Sequence, residues 1–139
     1  RVCCIAASEY GAVAHGLDIY EPNLEKARRR AQEAGVEGLC HFHVCDFLEN
    51  LEHHPAWSVA TLVYWFISIP ELADRLLPVF VRAAHRMRLV SYSPTNPHFL
   101  TDVRRLGVSL VASVEGGALA LFAAQSPGPR RCPAELALD

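Results

Sequence analysis

At 139 residues the chain is long enough for one domain with a core of its own and too short for two. A composition 51% hydrophobic and 20% charged, with a net charge of -2, describes a soluble globular protein without the basic excess that nucleic-acid binding draws on. The longest apolar stretch, Val59 to Ile69, is shorter than a membrane span and is broken by Thr61, Tyr64 and Ser68, so no transmembrane segment is expected. Five cysteines without a paired C-x-x-C spacing read as small buried thiols of a reducing compartment, hence an intracellular protein, cytoplasmic or mitochondrial. Because the chain opens on Arg1 rather than methionine, an upstream segment, with any targeting peptide, is expected to precede it.

Arg1 to Tyr10 reads as a helix, since a strand there would leave only Ser8 to Ala12 for a parallel crossover that needs about a dozen residues. Val2, Ile5 and Ala6 share one face of that helix, and Gly11 ends it. Val13 to Asp18 is a short apolar strand ending in an acid. Pro22 then opens a helix in which Leu24, Ala27, Ala31 and Ala34 recur at helical spacing, with Gly35 as the left-handed stop. A strand, an acid at its carboxyl end and a helix make one unit of a nucleotide-binding α/β sheet, in which such an acid holds ribose hydroxyls.

Leu39 to Asp46 alternates and ends in a second acid, followed directly by Phe47. Its faces carry Phe42, Val44 and Asp46 on one side and His41, His43 and Cys45 on the other. Leu48 to Pro55 reads as a loop with one helical turn, and Trp57 to Phe66 as a strand buried on both faces at the centre of the sheet. Pro78 is expected to divide the following helix into Glu71 to Leu76 and Val79 to His85. Arg88 to Tyr92 is the next strand, the Ser93 to Pro97 loop follows, and Leu100, Val103 and Leu106 mark a helix stopped by Gly107. Val108 to Val114 and Ala118 to Ala124 flank a short glycine turn as an antiparallel hairpin. The domain therefore covers 1–124, and 125–139 reads as a loose tail.

The run GLDIYEPNLEKARRRAQEAGV, then HFHVCDF, VATLVYWF and the closing hairpin resemble the class I S-adenosylmethionine-dependent methyltransferases. RVCCIAASEYGAVAHGLDI and the later LVYWF and RLVSY are most similar to the small protein-lysine methyltransferases acting on ATP synthase subunit c and the adenine nucleotide translocase. The resemblance implies a Rossmann-like, mostly parallel sheet with helices on both faces and a C-terminal antiparallel hairpin. It also implies that the first strand and the glycine loop are missing, with that strand's place lying between the strands that end at Asp18 and Val63. It makes Asp18 the acid for the ribose of S-adenosylmethionine, Asp46 the acceptor for the adenine amino group, and Phe47 the residue that offers its backbone N–H and packs on the ring.

Tyr64, Trp65 and Phe66 end the apolar strand, and Tyr64 is the candidate to hold a substrate ammonium by cation–π attraction, with Ser91 and Tyr92 as neighbours for the amine. The absence of N-P-P-Y and the net charge argue for a protein lysine as substrate and against nucleic acid. The alternatives are a non-catalytic relic and another Rossmann-type nucleotide-binding protein. No metal site is expected: His41, His43 and Cys45 lack a further ligand at a recognisable spacing and read as a strand face packed under a helix, while His53 and His54 read as solvated loop residues. The run Arg28 to Arg30 reads as a solvated helix face.

Overall fold

The computed structural model describes residues 1–65, 70–92, 108–114 and 119–124, in two compact units, Arg1–Ala60 and Thr61–Asp139. In the first unit the order is α1 (Val2–Tyr10), β1 (Ala14–Asp18), α2 (Glu21–Glu33), β2 (Cys40–Val44), α3 (Phe47–Asn50), a 3-10 turn (Leu51–His53) and α4 (Pro55–Val59). β1 and β2 pair in parallel, Ala14 opposite Cys40 through Asp18 opposite Val44. Gly11 and Gly35 follow α1 and α2 at φ 64° and 65°, the left-handed region where a glycine carries no Cβ penalty.

The core of this unit is made by small side chains. Ala7, Ala31 and Cys40 are buried together, with Cys3, Cys4, Ala14, Val36, Leu39 and Phe42 packed around them. The expected apolar face of α1 is corrected: Val2 and Ile5 are exposed, and the helix turns Cys3, Cys4 and Ala7 inward. Helix and sheet approach closely through Ala and Cys where Val and Ile would hold them apart.

Trp57 to Phe66 is a strand only over β3 (Leu62–Trp65). Trp57 and Val59 belong instead to α4, which Pro55 opens at its first turn and His54 caps, its Nδ1 accepting the Ala56 N–H at 3.2 Å. A local cap and an N-terminal proline outweigh the β-preference of Trp and Val. Among the described residues β3 is not buried on both faces and pairs on one side only: Trp65 is buried, Leu62 and Tyr64 are exposed, and β4 is its ladder partner.

The second unit continues with α5 (Pro70–Ala83), β4 (Arg88–Tyr92), β5 (Val108–Val114) and β6 (Leu119–Ala124), in sheet order β3-β4-β6-β5. β3 and β4 are parallel, and β6 runs antiparallel to both β4 and β5. The glycine turn, the Ser93 to Pro97 loop, the helix expected over Leu100 to Leu106, Phe66 and the tail lie outside the described residues.

α5 passes through Pro78 without dividing. A proline inside a helix costs about 3 kcal/mol. Leu76, Leu77, Phe80 and Ala83 are buried on both sides of it, at about 1.5–3 kcal/mol for each large side chain, and Pro78 itself faces solvent. The burial exceeds the cost, so the helix continues.

Candidate cofactor-binding site

The parallel register of β1 and β2 carries their carboxyl ends to the same edge of the sheet. Asp18 ends β1 there. Asp46 follows β2 two residues beyond Val44, the partner of Asp18, and the Cys45 N–H donates to the Asp18 carbonyl at 3.0 Å. The two acids and Phe47 are therefore brought together by the fold.

Each carboxylate is held by the start of the helix that follows it. Asp18 Oδ1 accepts the Tyr20 N–H at 2.8 Å and Oδ2 accepts the Asn23 side-chain amide at 3.0 Å. Asp46 caps α3, its Oδ1 accepting the Leu48 N–H at 2.9 Å. A carboxylate offers about four acceptor positions. Both acids thus keep capacity for a ligand while their orientation is fixed, which is the property a hydroxyl- or amine-binding acid requires. Ile19 and Tyr20, beside Asp18, are 62% and 59% exposed and offer apolar surface next to it. Phe47 is half-buried and supplies the first N–H of α3, a group without an intrahelical acceptor. Asn23 was not anticipated; its signal is its position one residue after Pro22, where the first helical turn brings the amide back over the strand end.

Tyr64 lies in the second unit, on β3 opposite Val90, and is 37% exposed. Trp65, on the other face, is core: it is buried and stacks on Phe80 at 4.6 Å between ring centroids. Ser91 is buried as the register partner of Trp65.

On the first unit's sheet a second group assembles. His15 and His41 are register partners, and their ring centroids are 5.0 Å apart. His15 and His43 stack at 5.6 Å, His15 Nδ1 lying 3.3 Å from His43 Nε2, and His54 meets His43 edge-on at 4.9 Å. This corrects the packed-face reading at His41, which is exposed, while His43 is half-buried and Cys45 buried, and it corrects the loop reading of His54, which is half-buried and caps α4. Burial pushes the His15 and His43 imidazoles below their ordinary value, and neighbouring imidazoles add repulsion, with Arg28 contributing at His43. Both rings are held towards the neutral form. Among the described residues no three His, Cys, Asp or Glu side chains surround a common point for a metal ion. A cavity of about 330 Å³ lies at α2 and β2, lined by Arg28, Gln32, Glu37 and His41 among others, and includes neither acid.

The chain matches no family model and no curated protein. It is similar to the solved structure of an RNA methyltransferase from Salinibacter ruber in complex with S-adenosyl-L-homocysteine, at 20% identity and a TM-score of 0.62 over 95% of this chain and 78% of that one. It is also similar to Sp1610 of Streptococcus pneumoniae, provisionally assigned as a tRNA (m1A22) methyltransferase, at 15% identity and a TM-score of 0.62 over 88% of this chain and 58% of that one. These neighbours overturn the expected pairing with a protein lysine and the exclusion of nucleic acid, because both are named for RNA. The net charge behind that expectation is a sum over the whole chain and does not report a local surface, and a missing N-P-P-Y bears on exocyclic amines but not on ring nitrogens such as the one m1A denotes. Among the described residues no helix is long and apolar enough to cross a membrane. By these likenesses the chain has the Rossmann-like α/β fold of S-adenosylmethionine-dependent methyltransferases.

Proposed function

We propose that the protein carrying this chain is an S-adenosylmethionine-dependent methyltransferase acting on RNA. The observation that carries the reading is the pair of oriented acids, Asp18 and Asp46, ending neighbouring parallel strands at one sheet edge. The donor chemistry fits the cofactor: a carboxylate with free acceptor positions at each strand end, and exposed Ile19 between Asp18 and the helix. Asp18 would take the ribose hydroxyls, Asp46 the adenine amino group, and Phe47 the ring edge through its backbone N–H. The cofactor supplies an activated methyl group on a sulfonium, so the protein's task is alignment and exclusion of water rather than covalent catalysis. Tyr64 is the candidate substrate contact, an exposed ring suited to stacking on a nucleobase. RNA as substrate is supported by the two solved neighbours, both named for RNA.

The test is calorimetry of S-adenosylmethionine binding together with transfer of labelled methyl to total RNA and to a protein extract. Binding should fall by about tenfold or more on Asp18→Ala and on Asp46→Ala, in line with the loss of a charge-assisted hydrogen bond of about 1.5–3 kcal/mol. Label should appear in RNA. Affinity unmoved by both substitutions would remove the cofactor assignment, and label confined to protein would remove the substrate.

A further inference from the structure

Three thiols meet between α1 and the start of β2. Cys3 and Cys4, in the first turn of α1, are half-buried and pack with Ala7 against Cys40, the buried first residue of β2, and all three are free. The Cys40 thiol hydrogen-bonds the Cys4 sulfur, which brings these two side chains into direct contact. Cys3 is aimed elsewhere. Its Sγ lies 3.5 Å from where a Cβ on Gly16 would stand, and Gly16 is two residues along β1 from Ala14, the register partner of Cys40. The contact therefore selects one pair, and within it half-buried Cys4 is the member that a small molecule from solvent meets first.

We propose that Cys4 and Cys40 are a thiol pair that a low-molecular-weight disulfide such as oxidised glutathione closes into a reversible crosslink between α1 and β2. The Cys4 thiolate attacks one sulfur of the oxidant, forming a mixed disulfide and releasing one small thiolate. Cys40, after losing its proton, attacks Cys4 Sγ and expels the second. Two protein thiols are thereby oxidised and one small disulfide is reduced to two thiols, each departing thiolate taking up a proton that a cysteine has given to solvent. Burial, the neighbouring thiols Cys4 and Cys3 and then the hydrogen bond keep Cys40 protonated, so closure quickens as pH rises. The closed loop contains β1, α2 and Asp18 and ends six residues before Asp46, so oxidation restricts the unfolded chain over the segment that carries the candidate site.

The test uses the full chain in the absence of S-adenosylmethionine, so that its outcome is independent of the proposed activity. Incubation with oxidised glutathione should lower the mass of the monomer by two hydrogens and leave three of the five thiols titratable in denaturant. The thermal midpoint should rise, the reaction should run faster at alkaline than at neutral pH, and dithiothreitol should reverse the mass change and the shift in midpoint. Cys3→Ser and Cys45→Ser should keep the crosslink, and Cys4→Ser and Cys40→Ala should each abolish it. Circular dichroism identifies any variant that fails to fold, and Cys4→Ser, at a half-buried position, keeps the test open if Cys40→Ala does not fold. Five thiols remaining after oxidation, a crosslink that joins two chains or maps to Cys3, or one that survives in folded Cys4→Ser would overturn the assignment.

Discussion

Phe42 packs against Gly16 across the β1–β2 ladder, its Cδ1 only 2.6 Å from where a Cβ on that glycine would stand. The glycine is required by the ring, not by its own backbone. Gly16→Ala should destabilise the protein by about 1–3 kcal/mol, the usual cost of forcing an extra carbon into a packed site. Combining it with Phe42→Leu should recover part of that loss, so the two effects should fail to add in urea denaturation. Additive losses would mean that the two side chains do not compete for this space.

The Asn23 side-chain amide holds Asp18 Oδ2. Asn23→Ala should cost at most about 1 kcal/mol of stability, as expected for an exposed hydrogen bond. S-adenosylmethionine affinity should fall more steeply than stability, because the acid loses its orientation. Equal affinity for both proteins in calorimetry would show that the Tyr20 N–H alone suffices to hold the carboxylate.

His54→Ala removes the cap of α4 and should lower stability by about 0.5–2 kcal/mol. His54→Asn should restore much of it, asparagine being a preferred cap.

Pro78→Ala should raise the thermal midpoint. Pro78 is exposed inside α5, and alanine restores a backbone N–H and removes the ring's clash with the preceding turn, a relief of up to about 3 kcal/mol. A lower midpoint would mean that proline's restriction of the unfolded chain outweighs the helix defect.

Alkaline solution should weaken the first unit. Burial pushes the Cys3 and Cys40 thiols up, with the neighbouring thiols Cys4 and, at Cys40, Cys3 acting in the same direction. A raised folded value means that the unfolded chain loses these protons first, so stability is complete below the ordinary thiol value of about 8.5 and falls as pH rises through and above it. Cys40→Ala should flatten that limb in a denaturation series run between neutral and alkaline pH.

The parts legible in the sequence were those written locally. Pro22, the Leu24–Ala31 spacing and Gly35 define α2, and the acids at the ends of two short runs mark the edge where Asp18 and Asp46 meet. α1 was legible as a helix but not in its orientation, because residues 2–7 are apolar or small nearly all round and the choice of Cys3 and Ala7 over Val2 and Ile5 belongs to the surface they meet. The boundary of β3 was hidden by a β-rich composition that a cap and a proline override. His15 drew no notice, since its meeting with His43 is 28 residues away along the chain and exists only through strand register.

Arg28 bonds the Phe42 carbonyl at 3.0 Å while pairing with Glu21. As an exposed ion pair the contact with Glu21 is worth only about 0–1 kcal/mol. Its larger effect concerns association between molecules: β2 ends a two-stranded sheet, and a guanidinium seated on one of its carbonyls occupies an acceptor that an arriving strand would use. A side chain of little thermodynamic weight thereby leaves an arriving strand one acceptor fewer on this edge, so Arg28→Ala should lower solubility more than it lowers unfolding free energy.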